Sequence, residues 1–147
     1  MLPETEALLV FAARHEHLHT LILPALEKGT WVICDRFTDA TIAYQGGGRG
    51  IPSERLEILE RWVQEDFQPD LTLFFDVPVV VSMERLRDVR QADRFEQEQA
   101  DFFERVRAAY LRRVSEFPAR MHVIRGDQPV GDVRRELEKV IELYCLS

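Results

Sequence analysis

Between residues 35 and 50 the chain reads Asp35-Arg36-Phe37-Thr38-Asp39-Ala40-Thr41-Ile42-Ala43-Tyr44-Gln45-Gly46-Gly47-Gly48-Arg49-Gly50, directly after the apolar run Trp31-Val32-Ile33-Cys34. A charged pair where a strand should end, then hydroxyls, a phenol, an amide and glycines, is how an α/β protein assembles a site for a small anion. Arg36 offers a planar fork of donors suited to phosphate oxygens. A second basic group follows at Arg85, Arg87, Arg90 and Arg94, whereas Lys28 and Lys139 are the only lysines. Taken alone, the pair Asp35-Arg36 could be a surface ion pair, and the later arginines a solvated helix face. A third pattern, His15-Glu16-His17-Leu18-His19, satisfies H-E-x-x-H, which sets two imidazoles one helical turn apart for zinc with a glutamate as base. The next histidine is His122, too distant for a metzincin spacing. A zinc metallopeptidase would therefore need a carboxylate from elsewhere as its third ligand.

The elements that must carry these groups follow from periodicity. Leu8, Phe11, His15, Leu18 and Ile22 recur at helical spacing, predicting a helix over 4–28 that Pro24 disturbs and Gly29 ends. Residues 30–34 read as a short buried strand, followed by a helical turn over 38–44 and a turn at the glycines. Pro52-Ser53 starts a helix to about residue 67, with Leu56, Leu59 and Val63 on its apolar face. A second strand is expected over 71–76, a short helix over 79–87, an amphipathic helix over 97–117 ended by Pro118, a third strand over 121–125 and a last helix over 130–144. Phe102, Tyr110 and Phe117 read as core. Alternation of strand and helix gives an α/β protein with a mostly parallel sheet, organised as a single domain over 1–147. A doubly wound sheet ordinarily has about five strands and opens on one. Three strands after an opening helix therefore predict that an N-terminal piece is absent.

With 147 residues, the chain can bury roughly 70% of its unfolded surface. A hydrophobic fraction of 46% beside 31% charged residues is that of a folded globular protein. The net charge of −7 speaks against bulk attraction to nucleic acid or an anionic membrane. No apolar run is long enough to cross a bilayer and no leader precedes the first helix, so the cytoplasm is the expected compartment. Cys34 and Cys145 make neither a disulfide framework nor a metal spacing, and read as reduced thiols.

Five segments in order, Phe11-Ala12-Ala13-Arg14, Cys34-Asp35-Arg36-Phe37, Ala43 to Gly50, Pro69-Asp70-Leu71-Thr72-Leu73 and Asp93-Arg94-Phe95-Glu96, together resemble the bacterial thymidylate kinases. The resemblance implies the P-loop nucleoside monophosphate kinase fold, transfer of the γ-phosphoryl of ATP to dTMP to give dTDP, use of Mg2+, and a homodimer. It implies dTMP contacts from Phe11, Arg14, Asp35, Arg36, Thr41, Tyr44 and Gln45. Within that set Arg14 meets the base, Arg36 the phosphate, and Asp35 orients Arg36 or acts through water on the metal. Thr41 and Gln45 meet the base edge, and Tyr44 lies by the sugar. An aromatic that stacks on thymine usually stands four residues before the arginine, where this chain has Val10, so the role passes to Phe11. Residues 88–95 resemble the family's mobile lid, with Arg85, Arg87, Arg90, Asp93 and Glu96 on the ATP side and Arg36, Arg87 and Arg90 as the catalytic charges. The loop Gly126-Asp127-Gln128 falls at the adenine side. One departure is large: the family's G-x-x-x-x-G-K-[ST] loop is not in this sequence. The chain is therefore expected to carry the dTMP side and the lid, and to be inactive alone. A non-catalytic nucleotide-binding or dimerising fragment is the remaining alternative.

Overall fold

A computed structural model describes residues 1–87 and 96–145, and the side chains of all of these except 86, 87, 96–98 and 145. They form two compact units, Met1–Gln68 and Pro69–Ser147.

The first unit is helical. Pro3 opens α1 (Pro3–His17), where a missing N–H costs nothing, and Glu4 and Glu6 lie at the positive end of its dipole. The ladder then widens to a π turn over Leu18–Ile22 before α2 (Leu23–Glu27). That widening directly precedes Pro24, whose ring and absent N–H disfavour an uninterrupted α ladder. Gly29, at φ +72°, ends the run. The buried residues of the long helix are Ala7, Phe11, Arg14, Leu18 and Ile22. Leu8 and His15, expected on the apolar face, are exposed instead, and Ala7 and Arg14 take their places.

The expected strand over 30–34 is not one: Trp31 is 78% and Ile33 99% exposed, and the segment is irregular. A strand exists only by pairing, and among the described residues no other strand bonds to this segment. The motif run forms α3 (Thr38–Thr41) continuing into a second π stretch, Ile42–Gly48. The glycines thus prolong a helix where a turn was expected. Gly46 is fitted against Leu56, whose Cδ1 would lie 3.1 Å from an added Cβ. Only Gly50, at φ +79°, reverses the chain. Pro52 caps α4 (Ser53–Gln64) as expected. Its fully buried positions are Leu56, Glu60 and Gln64, while Leu59 and Val63 pack at the margin of a core made by Ala7, Phe11, Ile51 and Leu56.

The second unit is a β-α-α-β crossover with a further helix: β1 (Thr72–Asp76), α5 (Val79–Arg87), α6 (Glu96–Glu116), β2 (Met121–Arg125) and α7 (Val130–Cys145). These match the expected elements to within one or two residues. The strands are parallel, in register from Thr72 opposite Met121 to Asp76 opposite Arg125. The ladder is prolonged at one end by Thr72 N–H to the Arg120 carbonyl (2.7 Å) and at the other by Gly126 N–H to the Asp76 carbonyl (2.8 Å). Met121, Ile124, Val106 and Ala109 are buried, and Phe74 stacks on Tyr110 with ring centroids 4.6 Å apart. Phe102 and Tyr110 are half-buried, but Phe117 is exposed. The guanidinium carbons of Arg113 and Arg120 lie 4.3 Å and 4.9 Å from its ring centroid at the helix end. The sheet is smaller than expected, with two strands among the described residues.

Candidate functional site

Arg14 is the centre of the first unit's polar cluster. It projects from α1 into the interior at 8% exposure, with its guanidinium carbon 5.1 Å from the ring centroids of both Phe11 and Phe37. Its Nη2 donates to Thr41 Oγ1 at 2.7 Å, while Nη1 is buried and has no hydrogen-bond partner. Burial pushes its ionisation down to about 10, and electrostatic coupling to the acidic groups Cys34, Glu60 and Asp39 opposes that shift. A buried donor without an acceptor is costly.

The surrounding groups are held by helix-to-helix bonds. Gln45 is buried and its Nε2 donates to Glu6 Oε1 at 2.9 Å, tying the second π stretch to α1. Thr38, also buried, donates to Gln64 of α4, whose Nε2 in turn donates to the Phe67 carbonyl at 3.1 Å. Glu60 accepts from Gln68 Nε2 at 2.8 Å. Burial pushes the Cys34 thiol upward, the Arg14 charge pulls it down and Asp35 adds to the rise. Its Sγ lies 3.7 Å from the Arg36 carbonyl oxygen.

Arg36 stands outside this cluster. It is exposed, its backbone is left-handed at φ +62°, and its guanidinium carbon lies 5.1 Å from the Tyr44 ring centroid. A non-glycine residue in that region costs of order 1 kcal/mol, and such strain gathers at ligand sites. Asp35 beside it is exposed too.

Of the residues expected around one ligand, the structure thus brings Arg14 to Thr41 and Arg36 to Tyr44. Gln45 is engaged by Glu6, and Phe11 is 1% exposed, a core ring with Arg14 over it. Glu6, Thr38, Asp39, Glu60 and Gln64 belong to the cluster and escaped the sequence reading. Glu60 and Gln64 could have been found, since they continue the four-residue spacing from Leu56 along α4.

In the second unit the strand ends carry a separate set of contacts. Asp76, last in β1, accepts from Arg107 Nε (2.6 Å) and Nη2 (2.9 Å), a two-pronged bond that holds Arg107 protonated beyond its ordinary range. Arg85, expected to meet a triphosphate, donates from Nη1 to the Gly126 carbonyl at 3.1 Å. Gly126 is crowded: an added Cβ would lie 2.6 Å from Val77 Cγ2. Arg90 and Asp93 lie outside the described residues, as do the side chains of Arg87 and Glu96. His15 and His19 have ring centroids 4.5 Å apart, but among the described residues no third His, Cys, Asp or Glu joins them. The metallopeptidase reading gains nothing from this.

Parallel strands joined by helical crossovers in the second unit define an α/β protein, and the first unit keeps a buried arginine among polar side chains. Comparison with known proteins makes the class specific. The family model described as thymidylate kinase matches residues 1–137. A thymidylate kinase of Nitrosomonas eutropha is 59% identical over 141 residues, covering 96% of this chain and 66% of that protein. One from Cupriavidus necator is 60% identical over 138 residues, covering 94% and 68%. The crystal structure of thymidylate kinase from Ehrlichia chaffeensis superposes with a TM-score of 0.75 at 33% identity, covering 97% of this chain and 66% of that one. The chain belongs to the thymidylate kinase family and has the α/β fold of the P-loop nucleoside monophosphate kinases. It spans about two thirds of the length of these relatives.

Proposed function

We propose that this chain is the acceptor side of a thymidylate kinase: it binds dTMP, the nucleotide that receives the γ-phosphoryl of ATP to become dTDP. The observation that carries this reading is the buried Arg14 Nη1 without a partner, set beside Thr41. A neutral carbonyl, such as one on the thymine ring, would satisfy it, and the rings of Phe11 and Phe37 both lie 5.1 Å from its guanidinium carbon. Arg36, exposed and charged, is the group for the 5′-phosphate, with Tyr44 at the sugar and Asp35 and Gln45 supporting. Arg87, Arg90, Asp93 and Glu96 remain proposals for the lid over the transferring phosphoryl, where catalysis rests on positioning and charge neutralisation.

The residues present do not fit the donor's requirements by themselves. The sequence holds no G-x-x-x-x-G-K-[ST] loop, and among the described residues no three ligating side chains converge for Mg2+. The expected phosphoryl-transfer activity of these 147 residues alone is nil. Whether the two units act as one domain belongs to the same proposal, as do the homodimer and the cytoplasmic setting. Exposed Leu8, Leu9 and Leu21 on the first helix favour a second copy. Among the described residues no helix is long and apolar enough to cross a membrane.

Calorimetry tests the binding claim. Arg36→Ala should lower dTMP affinity to that of thymidine and leave thymidine unchanged, whereas Arg14→Met should weaken both at least tenfold. Equal dTMP affinity in the parent and Arg36→Ala sinks the assignment, and any dTDP formed by the chain alone sinks the claim of inactivity.

A further inference from the structure

The nucleotide reading leaves the histidine-rich stretch of the first helix without a use. We propose that His15 and His19 form a two-imidazole site for a divalent transition-metal ion. They stand four residues apart, so successive turns of one helix project them in the same direction. Both are exposed, and their rings already lie together, centroids 4.5 Å apart at an interplanar angle of 44°. Imidazoles with centroids at that spacing can ligate one cation at metal–nitrogen distances of about 2.0–2.1 Å. His17 is exposed as well, but roughly 200° around the helix from His15, and cannot join.

The helix supplies two ligands, and among the described residues no third protein group completes the set. Water fills the remaining positions. Imidazole ligation selects copper, nickel and zinc over magnesium or calcium, with copper(II) held most tightly. The position gives the chelate a mechanical effect. His15 belongs to α1 and His19 to the π turn that follows, so a bound ion cross-links the helix where its hydrogen-bond ladder changes spacing. Arg14 is the residue immediately before, and the ion would hold the turn that carries it.

The test uses the complete chain, free of any affinity tag and stripped with chelator, titrated with CuCl2, NiCl2 or ZnCl2 alone by calorimetry. One ion per chain is expected, with His15→Ala and His19→Ala each weakening binding at least tenfold and His17→Ala leaving it intact. Saturating metal should raise the melting temperature of the parent and of His17→Ala, and of neither other variant. All three side chains are exposed, so unchanged helical circular dichroism verifies that the variants fold. Absence of saturable binding, equal loss in His17→Ala, retention in the His15→Ala/His19→Ala double variant, or half an ion per chain would each overturn the site.

Discussion

The two units solve different problems with the same secondary-structure vocabulary. In Met1–Gln68 the interior holds Arg14, Thr38, Asp39, Thr41, Gln45, Glu60 and Gln64, whereas in Pro69–Ser147 Arg113 is the one fully buried polar side chain among the described residues. Burying polar groups is unfavourable unless each finds a partner, and the first unit meets this with side-chain bonds between helices. The second unit meets its needs mainly by backbone pairing, a Phe74–Tyr110 stack and apolar strand residues, with its polar pair Asp76–Arg107 only partly buried. The difference teaches where each unit places its polar groups: the first keeps a charged donor buried without an acceptor, and the second closes its own ladder.

The comparison can be broken most forcefully at the first unit's apolar core. Leu56, fully buried under Gly46, is expected to cost about 3 kcal/mol on replacement by alanine, read as a shift of the urea midpoint. A loss no larger than that of the exposed Phe75→Ala would show that the polar cluster, not this core, holds the unit together. Next comes the second unit's tightest crossing. Gly126→Ala should cost about 2 kcal/mol, and Val77→Ala in the same chain should recover most of it, because the clash is with Val77 Cγ2. Without that recovery, the strain lies in the Asp76 carbonyl contact instead.

A smaller effect of opposite sign is expected at Arg36. Glycine adopts its left-handed backbone without a Cβ penalty, so Arg36→Gly should stabilise by up to about 1 kcal/mol while removing dTMP binding. Loss of both stability and binding would mean the side chain is structural. The smallest effect concerns Cys34. Because burial holds its thiol above the ordinary range, the pH midpoint for alkylation by iodoacetamide should lie above that of a free cysteine. The Arg14 charge pulls that value down, so Arg14→Met should move the midpoint higher still. A downward move would separate Cys34 electrically from the cluster.

Much of the fold was legible because its signals are local. Proline and glycine punctuation together with apolar periodicity gave α5, β2 and α7 nearly residue by residue and the start of α4, which ends at Gln64 instead of near residue 67. Residues 30–34 misled because an apolar, β-branched run has the composition of a strand, but strand formation depends on a distant neighbour that composition does not contain. The π turns were illegible because the change in period is small and each covers few residues. Of the residues named through the family's spaced segments, Arg14, Thr41 and Gln45 lie in the buried polar cluster, and Arg36 is exposed. Glu60 and Gln64 were missed since carboxylates and amides on a helix normally face water, and only tertiary packing turned this stripe inward. Phe117 was misplaced for the converse reason: a large ring near a helix end can stay exposed beside arginine guanidinium groups.

The π turn at Leu18–Ile22 has a consequence for how this helix can change in length. A π turn amounts to one residue looped into an α-helix, so deleting a single residue there would restore the common spacing while leaving the helix on either side in nearly the same phase. Elsewhere along the helix the same deletion would break the register of Ala7, Phe11 and Arg14 with the core. A one-residue gap in some future variant should therefore settle between Leu18 and Ile22, where Arg14 on one side and Leu23–Glu27 on the other keep their faces.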